Sequence, residues 1–474
     1  MKKIYFLVFT IAIFFLSRLL FLEFNFWGLE YEDSFIYYDN ALNFENHILN
    51  KENIFQCISC DIGSYKDCIS YLSYGAHYTT FAYVVYNFNK IFGSDYINIF
   101  LLNLIITFGI LMAFYTFEKE KGQRVIFTLI LSLTPFYPLF STTGNSEIFS
   151  SLFVFLCLIL TSQYFKKGSN KYFYYFLLCA SIASISNREN FILFIIFAII
   201  LLFYKVKYHL HIAFNIIAIT LTSLLLTLIL GVYDTEMEYS SDIGSSTFSL
   251  KYLFDNTVAF FKGMMSFELW GISGVLLIIS IFLFFFKKES NKFIYLVVLF
   301  IGSYYLVTFL HYRHYNYLLT GRVTPFETLR YTTTFFPLIA IFISYYLNLI
   351  YLKYSDKTII ASALIIPILI YQTFETRKNF SNDEKYSRIE PVLEVLRIHE
   401  KNDLIVTEFP IVAKIYAKEN AMVADLRSLK NVKIDDFKRI YFLLGKDHTY
   451  EIPKSFRLKK IKEINEYNIY ILEH

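Results

Sequence analysis

Apolar runs of helical-span length recur from Ile4 almost to Phe374, and nothing else in this chain restricts its fold so strongly. A bilayer offers the backbone no hydrogen-bond partner, so a run of this kind crosses it as a helix. Roughly 20 residues are needed to cross about 30 Å of hydrocarbon. By that measure about eleven spans are expected, at 4–22, 96–117, 124–140, 147–165, 172–187, 191–204, 209–231, 267–286, 293–311, 331–352 and 358–374. The pair around 172–204 is short, interrupted by Ser186-Asn187-Arg188-Glu189-Asn190. A mean hydropathy of +0.45 with only 18% charged residues fits a polytopic α-helical membrane protein.

Lysine placement fixes the expected orientation. Lys2 and Lys3 precede the first run, as in a signal peptide. However, that run is longer than a secretory apolar core, and Arg18-Leu19-Leu20 offers no small-residue cleavage site, so the helix is expected to be retained. With a cytoplasmic N-terminus, the inner loops hold Lys119, Lys121 and Arg124; Lys166, Lys167 and Lys171; Lys205 and Lys207; Lys287, Lys288 and Lys292; Lys353 and Lys357. Basic residues favour the cytoplasmic side of short loops, and every inner turn obeys. Loops 23–95, 232–266 and 312–330 then lie outside the cell membrane, with the tail from 375. Residues 71–91 could be read as another span, but His77, Asn87, Asn89 and Lys90 interrupt them, and a further crossing would invert every later lysine cluster. This stretch and 34–49 are therefore expected to be amphipathic juxtamembrane helices on the outer surface.

The last hundred residues change character, which divides the chain at 374/375. Arg388 to Glu400 and Ile411 to Lys418 read as helices, and Leu404-Ile405-Val406, Arg439 to Leu444 and Tyr467 to Leu472 as strands. A small extracytoplasmic α/β domain is expected, without a glycine-rich phosphate loop.

Polar residues near the spans gather on the outer side. Tyr31-Glu32-Asp33-Ser34 follows the first span, and Thr143-Gly144-Asn145-Ser146-Glu147 opens the fourth. Arg188 and Glu189 occupy an outer turn, while His311, Arg313, His314, Arg322 and Arg330 crowd the last outer loop. Carboxylates beside hydrocarbon are costly to keep. Together such groups could abstract a proton and hold a phosphate. Plainer roles exist for each. Asp33 could cap a helix, Glu32 could be an exposed loop acid, and Glu147 suits a helix N-terminus. Arg188 with Glu189 could be a local ion pair, His77 a polar helix edge, and the loop arginines headgroup contacts. A net charge of +4 gives no bulk attraction to nucleic acid. Cys57, Cys60 and Cys68 share the first outer loop, where a disulfide of open pairing is the expected state; a zinc site with His77 is the alternative from ligand types. Cys157 and Cys179 fall in spans.

The order of these motifs resembles the GT-C superfamily of glycosyltransferases that use lipid-phosphate sugars, the group holding protein O-mannosyltransferases and aminoarabinose transferases. Glu32-Asp33-Ser34-Phe35-Ile36, with Tyr38, Ala41 and Asn43, looks like that group's acidic pair. Tyr74-Gly75-Ala76-His77-Tyr78 through Ile91-Phe92-Gly93 is similar to its second juxtamembrane helix, although prolines often follow the basic residue there and this chain has Tyr78-Thr79. Glu147 stands where many members carry a second acid, usually Asp, and Arg188 where some place a basic residue. Leu329-Arg330-Tyr331 followed by Pro337 resembles the late Arg-Tyr-Pro span. The resemblance implies inverting transfer of a monosaccharide from a polyprenyl- or dolichyl-phosphate donor to a hydroxyl of a glycan, lipid or protein acceptor. It implies Asp33 as general base with Glu32 as alternative, and Glu147 positioning the acceptor or sharing the base's work. Arg188, with His77 or one of Arg313, Arg322 and Arg330, would bind the lipid phosphate. No cofactor is assigned, and a requirement for a divalent metal stays open. The rival readings are a transporter or flippase for a lipid-linked glycan, which would show repeats and mid-span charge, and a glycan ligase or polymerase.

Overall fold

The computed structural model describes residues 8, 11–19, 37–38, 41–42, 79–203, 250–266, 269–287, 291–311, 325–353, 367–368, 370–372, 374–375, 389–400, 403–408, 412–413, 416, 422–426, 437–446, 456–464 and 467–473. The chain forms two compact units, one of Met1–Leu22 with Leu101–Lys378, the other of Glu23–Phe100 with Asn379–His474. The described helices, in chain order, are α1 (Thr79–Phe92), α2 (Ile97–Phe117), α3 (Lys121–Leu133), α4 (Phe136–Ser141), α5 (Ser146–Lys167), α6 (Asn170–Ser186), α7 (Ile192–Phe203), α8 (Leu250–Met265), α9 (Ile272–Phe286), α10 (Lys292–His311), α11 (Pro325–Thr332), α12 (Phe336–Lys353) and α13 (Ile389–Ile398). Residues 11–19 of the opening run are also helical.

Among the described residues three helices are long and apolar enough to cross a membrane, Ile97–Phe117, Ser146–Lys167 and Lys292–Leu310, and they coincide with the expected spans at 96–117, 147–165 and 293–311. Others are shorter apolar helices, such as Ile272–Phe286 and Phe336–Tyr351. Their cores are aromatic: Phe114 stacks on Phe127 at 3.9 Å and Phe176 on Phe197 at 4.2 Å between ring centroids. The α5–α6 turn closes on Gly168, whose φ of +64° is open to glycine at little cost.

Two expected spans are broken. Pro135 divides 124–140 into α3 and α4, because proline cannot donate to the carbonyl four residues back. A turn over Thr333-Thr334-Phe335 separates α11 from α12 within 331–352. The expected loop 232–266 contains a helix, α8, whose Lys251, Asp255 and Lys262 disguise it. Its Ala259, Phe260 and Met264 are buried while Phe254, Phe261 and Met265 are exposed. The span expected at 209–231 lies outside the described residues, as does most of 358–374.

In the second unit, β1 (Leu404–Thr407), β2 (Met422–Asp425), β3 (Ile440–Gly445), β4 (Arg457–Ile464) and β5 (Tyr467–Glu473) form one mixed sheet in the order β2-β1-β3-β5-β4. β1 pairs in parallel with β2 and β3, and β5 lies antiparallel to β3 and β4. The expected strands are the three central ones, and the two the sequence pattern missed are the edges. β1 is buried throughout, whereas β4, Arg-Leu-Lys-Lys-Ile-Lys-Glu-Ile, is largely exposed. Charge on an edge strand blocks pairing with another chain, and it also erases the hydrophobic signal of a strand. Arg439 ties Asp403 and Glu400 at the start of β3. Earlier in this unit, Tyr37 meets Phe81 and Tyr38 meets Tyr96 edge to face; of the helix expected over 34–49, residues 37–38 and 41–42 are helical and the rest lies outside the described residues.

Close helix approach gives a direct test. A Cβ on Gly274 of α9 would collide with the backbone carbonyl oxygen of Met264, whereas one on Gly302 of α10 meets nothing within 4 Å. Gly274→Ala should therefore cost about 1–3 kcal/mol and lower the thermal midpoint in detergent. Gly302→Ala should be neutral or stabilise by up to about 1 kcal/mol. Equal midpoints for the two variants would remove the tight α8–α9 contact.

Candidate functional site

Glu147 sits in the first turn of α5, where the exposed amide groups of a helix favour negative charge. The loop before it is held from two directions. The hydroxyls of Thr142 and Thr143 donate back to the carbonyls of Pro138 and Phe140, at 3.1 and 2.6 Å. From α2, the fully buried Asn103 amide donates to the carbonyls of Thr143 and Asn145 at 2.5 and 3.1 Å. The carboxylate thus has a fixed origin before any partner reaches it.

That partner is Arg330. Its Nε donates to Glu147 Oε1 at 2.8 Å, with the arginine side chain 16% and the glutamate 5% exposed. Arg330 lies in the last turn of α11, just before the helix break. The Thr333 hydroxyl bonds the Arg330 carbonyl, and the Thr333 amide bonds those of Leu329 and Arg330. Phe335 stacks on Tyr304 of α10 at 6.2 Å. The arginine also lies 5.3 Å from the Tyr331 ring centroid. Glu147 Oε2 and the Ser150 hydroxyl, both buried, have no hydrogen-bond partner among the described residues.

Arg188 begins a 3-10 turn, Arg188–Phe191, between α6 and α7. Asn190 pins this turn: its amide donates to the Ala183 carbonyl at 2.7 Å, and its Oδ1 accepts from the Tyr304 hydroxyl at 2.8 Å. The Arg188 backbone is therefore anchored to α10, and its side chain lies outside the described residues.

Of the candidates, Glu147 and Arg330 come together as a direct pair, although the sequence suggested separate tasks for them. Glu32, Asp33, His77, Arg313 and Arg322 lie outside the described residues, as do Cys57, Cys60 and Cys68. Cys157 and Cys179 are free thiols. Among the described residues no group of His, Cys, Asp and Glu could hold a metal ion. The pattern reading missed Asn103, Asn190 and Tyr304. A lone amide inside an apolar run was the available signal, since such a group must find a partner in hydrocarbon. It also missed Arg18, which is buried in the first helix.

A buried carboxylate–guanidinium pair at a helix end can orient a cationic fork without leaving unbalanced charge in a low dielectric. Arginine in that setting suits recognition of phosphate.

No protein-family model matches the sequence, and no curated protein matches it significantly. Among solved structures, the whole chain shares its fold with ArnT from Cupriavidus metallidurans. The apo structure matches at a TM-score of 0.64 and 10% identity, covering 99% of this chain and 98% of that one. The structure bound to undecaprenyl phosphate matches at 0.63 and 9% identity, with the same coverage. At this identity the likeness is one of fold. The chain is accordingly a mostly helical, multi-pass integral membrane protein with a C-terminal mixed sheet.

The ion pair predicts non-additivity. Glu147→Gln and Arg330→Met should each lower the thermal midpoint in detergent, and the double variant should lose less than the sum, with coupling of about 1–3 kcal/mol. Strict additivity would show that the two side chains act separately. Asn103→Leu, which removes the donor to the Thr143 and Asn145 carbonyls, should cost about 1–3 kcal/mol in the same assay.

Proposed function

We propose that this chain is a glycosyltransferase that moves a monosaccharide from a polyprenyl-phosphate donor to an acceptor hydroxyl at the outer face of the membrane. The observation that carries the reading is the Glu147–Arg330 pair in a chain that shares ArnT's fold from end to end. ArnT bound to undecaprenyl phosphate supports a polyprenyl carrier over a dolichyl one.

On this reading the chain crosses the membrane about eleven times, with a cytoplasmic N-terminus and the sheet domain outside. Asp33, with Glu32 as alternative, takes the acceptor's hydroxyl proton. The acceptor oxygen attacks the anomeric carbon from the face opposite the leaving group, so the configuration inverts. As the bond from that carbon to the phosphate oxygen breaks, its electron pair passes to the lipid phosphate. Negative charge grows there, and fixed cations aimed at it stabilise the transition state. Arg330 is the best-supported of these cations, with Arg188, Arg313, Arg322 and His77 as further candidates. Glu147 Oε1 is engaged by Arg330. This favours Glu147 as the group that orients the arginine, ahead of the base-sharing role the resemblance implied. The acceptor, whether glycan, lipid or protein, is set by parts of the chain without a readable code.

Purified protein incubated with a panel of polyprenyl-phosphate sugars should consume at least one donor, read by mass spectrometry. A transporter or flippase would leave every donor intact. Asp33→Asn should abolish transfer while the protein stays monodisperse; full activity would remove Asp33 from the mechanism. Arg330→Met should weaken use of the donor about 10–100-fold, the worth of one charge-assisted hydrogen bond.

A further inference from the structure

Arg18 is the one charged side chain of the opening apolar run, and it is 1% exposed. Its Nη1 donates to the Phe14 carbonyl and the Ser17 hydroxyl, each at 3.2 Å, and its Nη2 donates to the Leu131 carbonyl at 3.3 Å. The guanidinium carbon lies 3.6 Å from the centroid of the Phe14 ring and 5.8 Å from that of Tyr137. No carboxylate among the described residues pairs with it. A guanidinium inside a span is expensive and is kept there by specific partners. These partners are carbonyls, a hydroxyl and aromatic faces.

Leu131 explains the choice. In an uninterrupted helix its carbonyl would accept from the amide of residue 135, and residue 135 is proline. The preceding carbonyl, of Ile130, already takes both the amide and the hydroxyl of Thr134, at 3.1 and 2.7 Å. Arg18 thus supplies from another helix the donor that Pro135 lacks. Proline breaks survive in hydrocarbon when a neighbouring helix answers the freed carbonyl in this way.

The break so secured leads to the site. Pro135 opens α4, the Phe136 amide is held by the Leu269 carbonyl at 3.0 Å, and Tyr137 lies beside Ser151, one turn beyond Glu147 on α5. α4 then runs into the loop that Asn103 clamps. In the sequence, Arg18 precedes Glu32 and Asp33. We propose that Arg18 is a positioning residue for the transfer reaction: by answering the Leu131 carbonyl it locks the opening helix to the break leading into Glu147. The proposal rests on the glycosyltransferase reading. It requires a planar, multidentate donor, which lysine supplies only in part.

The test is a cycle of Arg18→Met, Pro135→Ala and the double variant in the full-length protein, read by thermal midpoint in detergent and by donor turnover. Arg18→Met should lower the midpoint and reduce kcat about tenfold or more, as a misplacement near 1 Å does, with KM for the donor within about twofold. Arg18→Lys should restore part of kcat. Pro135→Ala brings an amide proton to the break, so the midpoint loss from Arg18→Met should shrink by more than half in that background. Additive midpoint losses, or wild-type kcat in Arg18→Met, would overturn the proposal. If Arg18→Met yields no folded protein, Arg18→Gln, which keeps a donor for Leu131, takes its place with the same expectations at smaller size. Wild-type protein that consumes no donor would sink the glycosyltransferase reading, while the midpoint cycle would still decide whether Arg18 stands in for Pro135.

Discussion

Hydrocarbon cannot hydrogen-bond a stranded backbone group, and this chain interrupts its helices repeatedly. Several described interruptions are closed by a polar side chain. Arg18 answers Leu131 at the Pro135 break, and Asn103 answers Thr143 and Asn145 before α5. Asn190, itself held by Tyr304, answers Ala183 after α6. At the start of α9 the Ile272 amide donates to Gln372, next to Gly271, whose φ of +57° and crowding against that glutamine exclude a side chain. These four buried polar residues, Arg18, Asn103, Asn190 and Gln372, mark where the bundle stops being regular.

Irregularity is also where the candidate chemistry lies. Glu147 follows one break and Arg330 precedes another, so the pair joins two helix ends rather than two mid-helix positions. A helix end exposes unpaired amides and allows a side chain to leave the lipid-facing surface. Satisfying those ends with neutral amides such as Asn103 leaves the charged groups available to each other and to a ligand. The same principle accounts for Arg18, except that there the charge itself serves the backbone.

What the sequence disclosed follows from which forces are local. Long uniform apolar runs announced α2, α5 and α10, since length and hydropathy alone decide a span. Strands β1 and β3 were legible because burial on both faces leaves an apolar run, and β5 because Tyr467 to Leu472 is still largely apolar. β2 and β4 were not, because an edge strand such as Arg457–Ile464 is paired on one side and charged on the other. α8 was hidden in a presumed loop by Lys251, Asp255 and Lys262, although Ala259, Phe260 and Met264 form its buried face. Residues Glu147 and Arg330 were each legible as candidates. Their pairing was not, since 183 positions separate them and only the tertiary fold brings them to 2.8 Å. Arg18 was read only as an obstacle to cleavage, because its meaning depends on a proline in another helix.

On the proposed reading, the pair also bears on how an arginine can wait for a phosphate ligand inside a membrane protein. An unpaired guanidinium in a low dielectric carries a desolvation penalty of several kcal/mol, roughly what removal of its partner would expose. Glu147 holds that penalty down and sets the direction of the fork. On the proposed reading, an arriving lipid phosphate shares the arginine with Glu147, so the ground-state attraction is moderated. When the glycosidic bond breaks, the phosphate gains negative charge while Glu147 does not. The balance then shifts toward the phosphate at the moment of reaction, and an interaction that strengthens only there lowers the barrier instead of merely tightening binding. On the same reading, a neutral residue at 147 would remove that moderation and strengthen binding of the resting donor, at the expense of that difference.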